Sequence, residues 1–378
     1  MDFEFNETQE MLKNGARRFF AQEAPALEIR DIIETRGGFS PELWKKIAEL
    51  GWLGIPIPEK YGGMGGNFLD MTVLLTEMGR AFFPSPFISA VVLGGLTILD
   101  YGSDEQRDVY LPSVVRGDLV PTMAVVEDDG RYQPYSIGTS LSGDTISGNK
   151  LFVPYGQMAD RVICLARDGA RFCLALVDAS ATGVNRSPIP ALTHEFYARI
   201  AFDQVKLEST GVLSHFKDWD DMRSILGKAS VARCAQLIGL GEHILDITVE
   251  YAKQRIQFEK PIGSFQAVQH HCADMLTALD GCRLLTHEAA WRISEGLPFN
   301  TEASMAKAWC GNAFKHIVAL SHQVHGGVSL IEDHEMPLYY RFAWSSASLF
   351  GSSDDHYEYV AEDLEKKDIL FEPFPLVN

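Results

Sequence analysis

Apolar residues recur at intervals of three and four from residue 7 to about 118. They do so in Met11, Leu12, Ala16, Phe19 and Phe20 and again in Leu43, Trp44, Ile47, Ala48 and Leu50, a spacing that predicts amphipathic helices sharing a core. Residues 51–66 break the pattern. Two prolines and six glycines there exclude regular helix, yet Trp52, Leu53 and Ile55 call for burial, so an ordered loop is expected rather than a linker. From about 119 to 213 the period falls to two. Short β-rich runs such as Thr145–Lys150 and Val162–Ala166 are divided by turn residues, and Arg167-Asp168-Gly169-Ala170 leads into Phe172–Val177 as a plausible hairpin. A small antiparallel β domain (119–213) is therefore expected between two helical ones (1–118 and 214–378), making an α+β chain that is mostly α.

The third region carries the widest apolar face. On residues 228–255 one row holds Val231, Ala235, Ile238, Leu245, Val249 and Ala252, and a second holds Leu237, Leu240, Ile244, Thr248 and Tyr251. Arg233, Gln236, His243, Asp246, Glu250 and Lys253 form the polar remainder. Two apolar rows imply more than one packing partner, as in a helical bundle.

Composition narrows the function classes. With 33 Lys and Arg against 51 Asp and Glu, the net charge is −18 over 378 residues, which leaves no electrostatic case for binding nucleic acid. No run reaches the roughly 20 apolar residues of a membrane span, and the start of the chain is acidic, so a soluble cytoplasmic protein is expected. The six cysteines, Cys164, Cys173, Cys234, Cys272, Cys282 and Cys310, lie in apolar runs without a CxxC and read as reduced thiols. His322 and His325 have metal-ligand spacing and His270 adjoins His271, but no carboxylate set accompanies them, so they read as structural and no metal is expected.

A set of motifs in fixed order resembles the flavin-dependent acyl-CoA dehydrogenase family. They are Gly51-Trp52-Leu53-Gly54-Ile55 with Tyr61-Gly62-Gly63-Met64-Gly65, then Thr76-Glu77-Met78-Gly79-Arg80, then Tyr101-Gly102-Ser103-Asp104-Glu105-Gln106-Arg107 with Leu111-Pro112. They continue in Tyr251-Ala252-Lys253-Gln254-Arg255-Ile256-Gln257-Phe258, Pro261-Ile262-Gly263-Ser264-Phe265-Gln266, Ala273-Asp274-Met275 and Gln323-Val324-His325-Gly326-Gly327. The resemblance covers nearly the whole chain. It implies an N-terminal helical domain, a middle β-barrel-like domain and a C-terminal four-helix bundle, usually in a tetramer. It also implies FAD. Arg255, Gln257, Phe258, Phe265 and Gln266 match the segments that hold the diphosphate and adenine end of an FAD bound mainly by a neighbouring subunit, and Gln323, Gly326 and Gly327 match the backbone that closes on the same end. Taken alone, Arg255 reads instead as a cap on its helix C-terminus, and the cofactor role rests on the residues that follow it in register.

The departures fall on the reactive half of the pattern. Where the family usually has Tyr-Glu-Gly-Thr, with the glutamate as base, this chain has Leu349-Phe350-Gly351-Ser352, and phenylalanine accepts no proton. The alternative base position, at the start of the long bundle helix, falls on Ala229 followed by Ser230. Glu250 lies too far along that helix, roughly 31 Å from residue 229 at 1.5 Å per residue. Asp354, Asp355 and His356 follow Phe350, and Ser352-Ser353-Asp354-Asp355 also reads as a helix N-cap. The flavin-ring segment Thr-Glu-Pro-x-Ala-Gly-Ser-Asp survives as Val126-Glu127-Asp128-Asp129-Gly130-Arg131, and Trp-Ile-Thr as Phe152-Val153-Pro154, which loses a hydroxyl and a backbone N–H. Glu259 stands where the family usually has glycine.

The resemblance thus implies an FAD-dependent oxidoreductase that converts an acyl-CoA to its 2-enoyl-CoA and passes electrons to an electron-transfer flavoprotein. Its profile is that of the subunit which, in hetero-oligomeric members, clamps the cofactor while an unlike subunit carries the base. Three other readings stand beside it: a homomeric enzyme with an unorthodox base, with Asp354 and Asp355 as candidates; a flavin oxidase or monooxygenase on the same fold; and a non-catalytic scaffold.

Overall fold

In the computed structural model, which describes residues 5–191, 195–216 and 218–366, three layers follow one another along the chain. The first is helical: α1 (Glu7–Glu23), α2 (Ala26–Thr35), α3 (Pro41–Glu49), α4 (Phe68–Arg80), a fully buried π-helical segment Ile88–Leu96, α5 (Thr97–Tyr101) and α6 (Asp104–Val115). Polar side chains start these helices where the sequence places them. Asn6, Asn67 and Ser103 each form a reciprocal capping box with the residue three places on. The loop at 51–66 contains only two short 3-10 turns, Trp52–Gly54 and Glu59–Tyr61, and buries Trp52, Leu53, Ile55, Ile57 and Tyr61, as its composition requires.

Eight strands follow: β1 (Pro121–Ala124), β2 (Ser140–Ser142), β3 (Thr145–Pro154), β4 (Arg161–Asp168), β5 (Arg171–Asp178), β6 (Val184–Ile189), β7 (Tyr197–Lys206) and β8 (Val212–Phe216). They form one sheet in the order β6-β7-β3-β2-β4-β5-β8, with β1 also on β4. The β4–β5 hairpin turns at Gly169-Ala170. The sheet is not wholly antiparallel, because β1 and β2 both run parallel to β4. The long crossover from β1 to β4 is what makes a parallel pairing reachable.

The remainder is the bundle: α7 (Asp220–Gln254), α8 (Gln266–Ser294), α9 (Asn300–His325), α10 (Met336–Ser348) and α11 (Ser353–Lys366), with a two-stranded hairpin of β9 (Ile256–Gln257) and β10 (Lys260–Pro261) between α7 and α8. Helix α7 joins the layers. A Cβ at Gly79 would fall 1.9 Å from the Gln236 carbonyl oxygen and one at Gly239 1.7 Å from that of Thr76, so only glycine lets α4 and α7 cross in backbone contact. Two residues of the motif strings have structural duties. Arg17 holds buried Glu77 through two bonds of 2.9 and 2.8 Å, and Gln106 donates to the Thr210 and Val212 carbonyls, tying α6 to the last strand.

Arg233 and Gln236 belong to the polar row of α7, yet each is only 8% exposed. Residues 229–241 of α7 are all buried, because α4, α8, α9 and the π-helical segment pack around them, and the polar row reaches water only beyond that stretch.

Candidate functional site

Two places in the fold gather the chemistry. The first is at the end of the bundle where α7 and α9 finish and α8 begins. The Tyr251 ring stacks on His325 at 4.6 Å between centroids and joins the last turns of α7 and α9. Beyond Tyr251 the helix ends at Arg255, its C-cap residue, whose backbone N–H donates to the Tyr251 carbonyl; its guanidinium makes no hydrogen bond or ion pair among the described residues. The β9–β10 hairpin then presents Gln257 and Phe258, and Phe265 packs edge-on to Phe258 at 6.0 Å with Lys260 over its other face. Gln266 opens α8, and Gln323, Gly326 and Gly327 close α9, all three exposed. Gly326 has φ +63°, and a Cβ on either glycine would meet nothing within 4 Å.

The turn of the hairpin explains Glu259. Gln257 pairs with Lys260, which leaves Phe258 (φ +51°) and Glu259 (φ +66°) as a two-residue turn in the left-handed region that favours glycine. Glu259→Gly is expected to stabilise the protein by up to ~1 kcal/mol, read as a small rise in the urea midpoint.

The second place is a cleft between the helical layer, the sheet and the bundle, with roughly 850 Å³ of empty space continuous with solvent. Phe82, Phe83, Ile88, Leu93 and Phe342 give it apolar walls, and Leu349 and Phe350 close one side. Glu195, just before β7, is the one carboxylate lining it among the described residues. Its oxygens accept from Arg233 of α7, from the Tyr197 hydroxyl at 2.9 Å and from Ser345 of α10 at 3.0 Å. Sequence reasoning missed this group. Glu195 and Arg233 are 38 residues apart in different layers, and neither belongs to a motif.

The turn at 349–351 is built to stay where it is. Phe350 is 4% exposed with φ +64°, and buried donors hold the carbonyls around it. Lys307 of α9, fully buried, donates to Ala347 at 3.0 Å and Gly351 at 2.8 Å; burial lowers its pKa to about 8. His356 lies 3.1 Å from the Phe350 carbonyl, so its Nε2 carries the proton and donates. Ala229 is also fully buried. Asp354 is exposed, and Asp355 is engaged in a capping box with Ser352, accepting from its amide at 2.8 Å and its hydroxyl at 2.7 Å. His322 and His325 bond to Ser329 and to the Ser321 carbonyl.

Burial, and then the nearby Lys307 charge, lowers the His356 pKa from 6.5 to about 4. The fold therefore prefers neutral His356. Its stabilisation is complete above pH 6.5 and is lost as pH falls toward 4, about 2 kcal/mol of it by pH 5. His356→Gln keeps a donor for the Phe350 carbonyl. Unfolding free energies from urea titrations at pH 7.5 and pH 5 are expected to differ less in this variant than in the parent by that amount.

The comparisons with known proteins agree with this layout. Residues 6–118 match the model of the acyl-CoA dehydrogenase N-terminal domain, and residues 219–365 that of the acyl-CoA dehydrogenase C-terminal domain. The chain belongs to the acyl-CoA dehydrogenase family. Among its relatives is the acryloyl-CoA reductase (NADH) of Anaerotignum propionicum, 28% identical over 97% of each chain. Another is the caffeyl-CoA reductase-Etf complex subunit CarC of Acetobacterium woodii, 29% identical over 89% of this chain and 93% of that one. Among solved structures, a chain of the ChsE4-ChsE5 complex from Mycobacterium tuberculosis superposes with a TM-score of 0.89 at 26% identity, covering 99% of this chain and all of that one. Members of this acyl-CoA dehydrogenase family are FAD-dependent oxidoreductases acting on CH–CH bonds. Among the described residues no helix is long and apolar enough to cross a membrane.

Proposed function

We propose that this chain is the cofactor-clamping subunit of a hetero-oligomeric acyl-CoA dehydrogenase, dividing near residues 118 and 213 into helical, β and bundle domains. An unlike, paralogous subunit supplies the base that takes the α-proton as the acyl-CoA becomes its 2-enoyl-CoA. The observation that carries the reading is a contrast between two ends of one molecule. At the bundle end, Arg255, Gln257, Gln266 and Gln323 are exposed, Gly326 and Gly327 are open, and the Arg255 guanidinium has no partner among the described residues. At the cleft, Phe350 is buried at the family's base position, and the one lining carboxylate, Glu195, is saturated by three donors.

The donor set fits the diphosphate end of an FAD presented from outside this chain. Arg255 offers a planar fork for phosphate oxygens, Gln266 and Gln323 offer amide hydrogens, Gly326 and Gly327 leave backbone approachable, and Phe258, 85% exposed, offers an apolar wall. When bound, FAD supplies the acceptor for the β-hydride. The ring end fits less well. The Tyr132 ring meets Phe350 edge-on at 6.3 Å, the Leu151 N–H is already given to the Val126 carbonyl at 2.8 Å, and Pro154 has none to give. No step is therefore assigned to a flavin ring in this chain's own cleft.

Exposed apolar side chains on the bundle, among them Leu284, Trp309, Trp344 and Ile256, support burial against other subunits in a tetramer. The relation to a subunit named for its Etf complex supports an electron-transfer flavoprotein as the electron acceptor, and the cytoplasm is the proposed location. The test is acyl-CoA-dependent dye reduction. Turnover is expected only after co-expression with the paralogous subunit. Turnover by this chain alone would point to the homomeric reading, and hydrogen peroxide formation to the oxidase.

A further inference from the structure

The cleft holds hydrogen-bonding groups that the chain's own contacts leave unused. The Ser85 hydroxyl and the Arg233 Nε are shut off from solvent and have no partner among the described residues, although both residues line the cleft. Gln236 beside them, 8% exposed, makes no side-chain hydrogen bond among the described residues. Buried polar groups are ordinarily satisfied, and each unsatisfied one costs about 1–3 kcal/mol, so two of them in one apolar cleft, with the free Gln236 amide alongside, point to an occupant that completes them.

The charge pattern restricts that occupant. Glu195 already neutralises Arg233, so a carboxylate placed among these donors would also crowd the Glu195 carboxylate, whereas an uncharged oxygen would not. Shape restricts it further. Gly79 and Gln236 both line the cleft where α4 and α7 touch backbone to backbone, so the crossing is a floor that a long chain cannot pass.

We infer that the cleft binds a compact acyl group bearing an uncharged, hydrogen-bond-accepting oxygen, such as a ketone, toward its far end. Because this rests on the reading that the chain has no base of its own, the group is held here without being turned over. The assembled enzyme then has two kinds of acyl site, a catalytic one in the unlike subunit and a binding one in this chain.

Calorimetric titration of the full-length chain with 5-oxohexanoyl-CoA and with hexanoyl-CoA tests the inference, because the two differ only in the oxygen. The oxo compound is expected to bind about tenfold more tightly, the value of one satisfied hydrogen bond. Ser85→Ala and Gln236→Leu together are expected to bring the ratio below about threefold, and neither substitution touches the Glu195–Arg233 pair. Equal binding of the two thioesters, binding of neither, or a ratio that survives the double substitution would overturn it. FAD content of the co-expressed oligomer reports separately on the clamping role, so either idea can fail alone.

Discussion

Arg255→Ala in the co-expressed oligomer is expected to weaken FAD binding on the order of 10- to 100-fold while leaving the fold intact. The guanidinium is exposed and makes no ion pair or hydrogen bond with the described chain, so its removal leaves nothing unsatisfied inside the subunit. What is lost is a planar pair of charge-assisted bonds to phosphate at an exposed site, together worth roughly 1.5–3 kcal/mol net. Arg255→Lys keeps the charge without the fork and should recover part of the affinity. FAD released on dilution reads the effect, and an unchanged urea midpoint shows that the fold is untouched. Full retention of FAD by Arg255→Ala would remove Arg255 from the cofactor site.

Glu195→Ala is expected to cost about 3–5 kcal/mol of stability, a large share of what holds a domain together. The reason is the partner left behind. Arg233 is only 8% exposed, and with Glu195 gone its charge keeps, among the described residues, the Phe342 ring 5.0 Å away. Replacing both residues, Glu195→Ala with Arg233→Met, removes the stranded charge and should restore most of the loss, which a double-mutant cycle in urea measures. Glu195 also reaches Ser345 of α10, so the single variant is expected to loosen the sheet from the bundle. A loss below about 1 kcal/mol would mean that water already satisfies Arg233.

These two sites differ in how far they could be read from sequence. The bundle end was legible because its groups are close in the chain. Arg255 through Gln266 is a single stretch, and Gln323 to Gly327 ends one helix, so the family resemblance that proposes their roles can be matched to short local motifs. Helices and strands were legible for the same reason: their periods are local, and Asn67 or Ser103 caps its helix within three residues. The cleft was not legible. A polar stripe on α7 has the same pattern whether it faces water or a carboxylate in another layer, and Lys307 in Ala306-Lys307-Ala308 looks like an ordinary surface lysine although it is fully buried. The parallel pairing of β1 and β2 with β4 escaped notice because residue alternation carries no strand direction. The Asp355 cap was visible, since Ser352 and Asp355 stand three apart, and the structure joins them reciprocally.

The central claim is that this chain clamps a cofactor whose chemistry belongs to another subunit. The most direct test is the FAD-to-chain ratio and particle mass of this chain purified alone and after co-expression with its paralogous subunit. The account predicts little or no FAD on the chain alone and about one FAD per pair of unlike subunits in the co-expressed oligomer. One FAD retained per chain in the homo-oligomer would contradict it.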